Sequence, residues 1–204
     1  MIATTGLRRA AIWLAVVTIA YNVVEGVVAV VAGAAAGAVS LVGFGLDSGI
    51  EVVSATVVLV RLTADLRGAA PDERKERVAL RIVAVTFFLL AAYLVVDGVV
   101  ALATAERPDR SVVGIVLTAA SIVVMPTLAA VKHRVGVRLG SALLVADAAE
   151  TRLCAVLSVS TFAGLLAYAL LGWAWLDPAA GLVIAVFAVL EGREAWEGEL
   201  TEHH

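Results

Sequence analysis

Long hydrophobic stretches dominate this chain and decide what it can fold into. Six of them follow one another, at about residues 11–31, 39–62, 78–102, 112–131, 141–171 and 178–196. A helix needs about 20 apolar residues to cross the roughly 30 Å hydrocarbon core of a bilayer. Hydrophobic residues make up 62% of the 204 residues, well above the roughly 45–50% of soluble domains. The sequence therefore predicts an all-α integral membrane protein with six transmembrane helices.

Local signals mark two of the boundaries between these stretches. Asp177 followed by Pro178 predicts a helix start, with Asp177 as the N-cap and Pro178 in the first helical position. The alanine- and glycine-rich stretch 33–38 predicts a tight turn on the outer side. No glycine- and serine-rich linker divides the chain, and few residues follow Trp196. We therefore expect a single transmembrane domain over residues 1–204, without a soluble domain.

Basic residues decide the orientation, because cytoplasmic loops carry an excess of lysine and arginine. With the N-terminus inside, Arg107 and Arg110 lie on the outer side, and Arg152 lies within the fifth stretch. The other basic residues are then on the cytoplasmic side: Arg8, Arg9, Arg61, Arg67, Arg74, Lys75, Arg77, Arg81, Lys132, Arg134, Arg138 and Arg193. We expect a multi-pass protein of the cell (inner or plasma) membrane with both termini in the cytoplasm.

Charge and cysteine content exclude several classes of function. The formal net charge is −3, and the basic residues lie in loops rather than in one patch. Nucleic acid is therefore not an expected partner. Cys154 is the single cysteine and lies inside a predicted helix, so a disulfide framework is excluded.

Acidic residues interrupt the second and fifth stretches at helical spacing. Asp47 and Glu51 are four residues apart, and Asp147, Glu150 and Cys154 are spaced by three and four. Each set therefore lies on one stripe of its helix. Carboxylates inside a membrane are costly, face the interior of a helix bundle and mark ion or proton paths. Two such stripes facing each other can bind a divalent cation through oxygen and sulfur ligands.

Structural roles compete with ligand roles at these positions. Asp47 and Glu51 could be protonated acids bonded to backbone carbonyls or to nearby serines, and Asp147 could be a helix cap or hydrogen-bond partner. Asn22 could line the same cavity or form an interhelical hydrogen bond. A buried ion pair is expected for Arg152, with an acid of another helix, Asp97 or Glu25, as its partner. These alternatives stay open at the level of sequence.

Three motifs, in order along the chain, carry a family resemblance. The stretch at 46–51 is LDSGIE, the stretch at 146–154 is ADAAETRLC, and the stretch at 175–178 is WLDP. They resemble, respectively, an acidic pair spaced by four, an Ala-Asp-x-x-His-x-x-x-Asp pattern and the opening of a sixth helix in the cation diffusion facilitator family of divalent-metal transporters. The chain is similar to a short form of that family, without its cytoplasmic C-terminal domain.

The resemblance implies a four-ligand transport site at Asp47, Glu51, Glu150 and Cys154. Glu150 takes the place of the usual His, and Cys154 that of the usual Asp. Asp147 matches an acid that precedes the ligands, and Asn22 is a further candidate from its own position. A thiolate favours Zn²⁺ or Cd²⁺, whereas carboxylates suit Mn²⁺. We expect Zn²⁺ first, with Cd²⁺, Co²⁺, Fe²⁺ and Mn²⁺ as alternatives, as transported ions rather than cofactors.

The resemblance also implies a mechanism: efflux of the metal by alternating access, with antiport of protons. The expected partners are the metal ion, protons, the lipid bilayer and a second copy of the chain, in a homodimer formed through the membrane helices. No enzymatic activity is expected. The alternatives are a membrane-embedded metal-binding or assembly subunit that does not transport, a metal-dependent membrane enzyme, and a proton- or sodium-coupled carrier of another solute.

Overall fold

The fold is all-helical in the part of the chain that the structure, a computed structural model, describes: residues 2–66, 73–104, 109–173 and 175–197. These residues form six helices, as predicted. The helices are α1 (Ile2–Ala36), α2 (Val39–Leu66), α3 (Glu73–Thr104), α4 (Val112–Leu139), α5 (Ala142–Leu171) and α6 (Leu176–Glu197). Arg67 and Arg107, two of the residues used to orient the chain, lie outside the described ranges.

The helices have the length and surface of membrane spans. Five of them, α1 to α5, are long and apolar enough to cross a bilayer. The sixth helix, α6, has 22 residues and carries charged residues near both ends, Asp177 in its first turn and Glu191, Arg193, Glu194 and Glu197 toward its end. Large apolar side chains such as Trp13 and Leu170 project outward from the bundle, as helices facing lipid require. The chain is therefore a multi-pass membrane protein.

The turn between α1 and α2 is shorter than the sequence predicts. Residues 33–36 belong to α1, and the turn consists of Gly37 and Ala38 alone. Gly37 has a φ of 65°, a left-handed conformation that favours glycine and commonly ends a helix. The backbone amide of Ala38 donates to the carbonyl oxygen of Gly33 at 2.9 Å. Alanine is the best helix former, so the alanines of this stretch extend the helix rather than the turn.

Asp177 does not cap α6, and that prediction is wrong. The helix begins one residue earlier, at Leu176, and the Asp177 side chain is buried against the start of α2. It accepts a hydrogen bond of 2.5 Å from the Ser40 hydroxyl, and it lies beside the backbone of Val39 and Ser40. A negative charge is stabilising at a helix N-terminus. Asp177 therefore joins α6 to the N-terminus of α2.

The helices pack as three close pairs, α1 with α2, α4 with α5, and α3 with α6. Among these helices α2 is central, since it also contacts α3, α5 and α6. The approach of α1 to α2 depends on two glycines: a methyl group at Gly45 would lie 2.9 Å from the carbonyl oxygen of Gly26. This arrangement lets α2 present one face to α5 while another face contacts α1.

Candidate metal centre

The four predicted ligands line one cavity. Asp47 and Glu51 reach it from α2, and Glu150 and Cys154 reach it from α5. All four side chains are buried, with exposed fractions from 2% at Cys154 to 9% at Glu150. The turn-by-turn spacing within each helix puts both members of a pair on the same stripe. Packing of α2 against α5 then brings the two stripes to the same cavity.

The cavity is small and mostly apolar around its acidic groups. Its volume is about 20 Å³, enough for one water molecule or one bare ion. Phe87 of α3, Leu157 of α5 and Phe187 of α6 contribute apolar walls. Glu191 of α6 lines the same cavity and is half-buried. Glu191 is not among the predicted site residues, because in sequence an acid near the end of a hydrophobic stretch is indistinguishable from one at the membrane surface.

Two carboxylate oxygens in the cavity lack a protein partner. Oε2 of Glu51 and Oε2 of Glu150 are buried and accept no hydrogen bond from the described residues. The Cys154 thiol lines the same cavity as the carboxyl groups of Asp47 and Glu51. A buried carboxylate without a partner is costly. A bound cation would satisfy these oxygens.

The side chains do not converge on one point as they stand. Within the described ranges, no three His, Cys, Asp or Glu side chains lie close enough together to hold one metal ion. Coordination of a metal here would therefore require rotation of the glutamate and aspartate side chains toward a common centre. The residues share a cavity but are not arranged as a finished coordination shell.

Asp147 forms an ion pair with a buried lysine and does not line the cavity. Its Oδ2 forms an ion pair of 2.8 Å with Nζ of Lys132 on α4, and Asp147 is not among the residues that line the cavity. Lys132, which the sequence predicts on the cytoplasmic side, has a fully buried side chain. In sequence, a lysine near the end of a hydrophobic stretch resembles a loop residue, so the ion pair between Lys132 and Asp147 could not be predicted.

Asn22 also lies outside the cavity. It is fully buried in α1, and its side-chain nitrogen donates to the carbonyl oxygen of Thr18 at 3.0 Å. This bond stays within α1, whereas an interhelical bond was one expectation. Asn22 therefore takes no part in the group formed by α2 and α5.

The prediction that Arg152 forms a buried ion pair with Asp97 or Glu25 is wrong. Arg152 is exposed on α5. The buried Glu25 instead accepts hydrogen bonds from the hydroxyls of Ser48, at 3.0 Å, and Ser121. Asp97 in turn accepts a hydrogen bond of 3.2 Å from the Tyr93 hydroxyl, one turn away on the same helix. Neutral hydroxyl donors, rather than a guanidinium, stabilise these acids.

The fold and the cavity together define the class: a helical membrane protein with a cluster of ionisable groups buried between its helices. Residues 15–197 match the family model of the cation efflux transmembrane domain. The match extends over most of the chain, so the protein belongs to the cation efflux family, and the predicted resemblance is confirmed. Members of this family are transporters of divalent metal cations. No match was found among curated proteins.

Proposed function

We propose that this protein exports a divalent metal ion, most readily Zn²⁺, by alternating access in exchange for protons. The ion is held between α2 and α5 by Asp47, Glu51, Glu150 and Cys154. The observation that carries this proposal is the shared cavity: four ionisable side chains from two helices, all buried, line one ion-sized space. Intramembrane acids of this kind mark ion pathways.

The donor set favours a borderline or soft cation. Three carboxylates and one thiol supply both oxygen and sulfur, and Zn²⁺ accepts both in a tetrahedral site. Sulfur disfavours Mg²⁺ and Ca²⁺, which take oxygen ligands, and supports Cd²⁺ and Co²⁺ as alternative cargo. Glu191 lines the cavity on the α6 side and supplies a further carboxyl group there.

Proton exchange follows from the chemistry of these ligands. Carboxylates and thiols bind a metal in their deprotonated forms, so protons and metal compete for the same atoms. A cavity enclosed by helices cannot hold several uncompensated negative charges. Release of the metal is therefore coupled to the return of protons from the side to which the metal leaves.

Neutralising one acid on each helix tests the proposal. The purified protein is reconstituted into proteoliposomes, and flux is measured for Zn²⁺, Cd²⁺, Co²⁺, Fe²⁺ and Mn²⁺. We expect Glu51→Gln and Glu150→Gln each to lower the initial rate of Zn²⁺ transport at least about tenfold, because one charged ligand is lost. The matched control is Glu197→Gln, which removes an exposed acid paired at 3.9 Å with Arg193 and should keep the normal rate.

The outcomes separate the rival functions. Wild-type flux from both glutamine variants, with normal folding by thermal unfolding, would rule out the site. Binding of Zn²⁺ without any flux would instead indicate a metal-binding or assembly subunit. Absence of any effect of the five metals on thermal stability would favour a carrier of another solute. Homodimer formation through the membrane helices and location in the cell membrane stay predictions.

A further inference from the structure

A lysine is buried beside the proposed cation site. Lys132 lies in the last third of α4, and its side chain has an exposed fraction of 0%. Its Nζ is 2.8 Å from Oδ2 of Asp147, 2.9 Å from the hydroxyl oxygen of Thr151 and 3.6 Å from Oε1 of Glu51. The ammonium group therefore contacts acids from both α2 and α5.

Glu51 belongs to two groups at once. It lines the cavity together with the other proposed ligands, and its Oε1 faces the Lys132 ammonium. The same oxygen accepts a hydrogen bond of 2.7 Å from the Thr151 hydroxyl, which also accepts from Lys132. Glu51 is thus held directly and through Thr151 by a positive charge, while its Oε2 has no partner in the described residues.

Asp147 gives the lysine a second carboxylate. The Lys132–Asp147 pair, at 2.8 Å, is shorter than the Lys132–Glu51 pair, at 3.6 Å, and Asp147 does not line the cavity. An unpaired buried ammonium is strongly disfavoured. Lys132 can nevertheless release Glu51 without becoming unpaired, because Asp147 remains its partner.

We propose that Lys132 is an internal counter-cation. It forms an ion pair with Glu51 in the metal-free protein, and when the metal binds Glu51 the ammonium group pairs with Asp147 instead. This inference rests on the proposed function, in which Glu51 is a metal ligand. The metal and the ammonium compete for one carboxylate, so Lys132 sets how tightly the cavity binds its ion. Asp147 is then the alternative partner of the lysine rather than a ligand, and Thr151 keeps Glu51 oriented during the exchange.

Binding of Zn²⁺ to detergent-solubilised protein, measured by isothermal titration calorimetry, tests the exchange with two variants. Lys132→Gln removes the competing charge, so we expect the dissociation constant to fall at least about tenfold. A unit charge near a divalent ion, at an effective dielectric constant of about 20, is sufficient for that change. Asp147→Asn removes the alternative partner and leaves the ammonium on Glu51, so we expect the dissociation constant to rise at least about threefold.

Opposite shifts distinguish the exchange from a structural role, since loss of a merely structural ion pair would weaken binding in both variants. Lys132→Arg keeps the positive charge, so we expect it to shift the dissociation constant less than Lys132→Gln does. The matched control is Arg193→Gln, which removes an exposed cation of α6 and should leave the constant unchanged. Thermal unfolding without metal shows whether each variant is folded.

The results keep the two proposals apart. If wild-type protein binds no Zn²⁺, the proposed function fails and the exchange fails with it. If wild-type protein binds Zn²⁺ but Lys132→Gln and Asp147→Asn shift the constant in the same direction, or neither shifts it, the exchange alone is overturned. A double-mutant cycle of Lys132→Gln with Glu51→Gln gives a further check in metal-free protein, where coupling in the unfolding free energy is expected.

Discussion

Cys154 is the residue that most distinguishes this cavity from the family pattern that its sequence resembles, in which an Asp takes the same position. Its side chain is 2% exposed and lines the same cavity as Asp47 and Glu51. A lone buried cysteine usually behaves as a small hydrophobe. Cys154 lies one turn after Glu150 and on the cavity wall, and this position favours a ligand role.

Replacing this sulfur with oxygen tests the ligand role. We expect Cys154→Asp to keep Zn²⁺ transport and to lower the ratio of Cd²⁺ to Mn²⁺ transport at least about fivefold, since thiolates prefer soft ions and carboxylates hard ones. The ratio is measured in proteoliposomes with each metal at equal concentration. Cys154→Ala, which removes the ligand altogether, should lower transport of both metals. An unchanged ratio in the aspartate variant would assign Cys154 to packing alone.

At the scale of helices, the position of α2 decides whether its acids can meet those of α5. Contacts with α1, α3, α5 and α6 fix its rotation. Two glycines of α2 differ in their surroundings. Gly45 contacts α1, whereas a methyl group added at Gly49 would have no atom within 4 Å. The close packing of α1 and α2 through small residues is the usual way that membrane helices associate.

This difference gives a matched pair of substitutions. Gly45→Ala would place a methyl group 2.9 Å from the Gly26 carbonyl oxygen and 2.8 Å from a methyl group of Val30, so α1 and α2 must separate. We expect a fall in the midpoint of thermal unfolding of several degrees, consistent with an overpacking cost of about 1–3 kcal/mol. Gly49→Ala, on the same helix, should leave the midpoint unchanged or raise it slightly. Equal midpoints would show that the α1–α2 contact tolerates expansion.

For the whole molecule, transport requires that the cavity open to each side in turn, and proton exchange gives that cycle a direction. In proteoliposomes with an acidic lumen, protons leave the lumen as the metal enters. We therefore expect the initial rate of Zn²⁺ uptake to rise at least about threefold relative to equal pH on both sides. A protonophore should abolish the increase. Equal rates of Zn²⁺ uptake with and without the pH gradient would rule out coupling to protons, but they would not contradict metal transport.

Much of the architecture was predictable, because its determinants are local. Hydrophobic stretches of spanning length predict helices wherever they occur, and each of the six helices overlaps its predicted range, although α1 and α4 extend well beyond theirs. Spacings of three and four place Asp47 with Glu51, and Glu150 with Cys154, on common stripes in any α-helix. The helix ends were less predictable: Asp177 resembles an N-cap in sequence, but its carboxyl group is bound by Ser40 of another helix.

The sequence by itself therefore determined the class of protein, its helices and the pairing of acids within a helix, since these depend on residues that are neighbours in the chain. Only the tertiary structure decided which side chains of different helices meet. It brought Glu191 to the cavity, buried Lys132 between Glu51 and Asp147 and placed Glu25 against serines rather than Arg152. Such contacts depend on how each helix is rotated and packed against its neighbours, and no local pattern encodes that rotation.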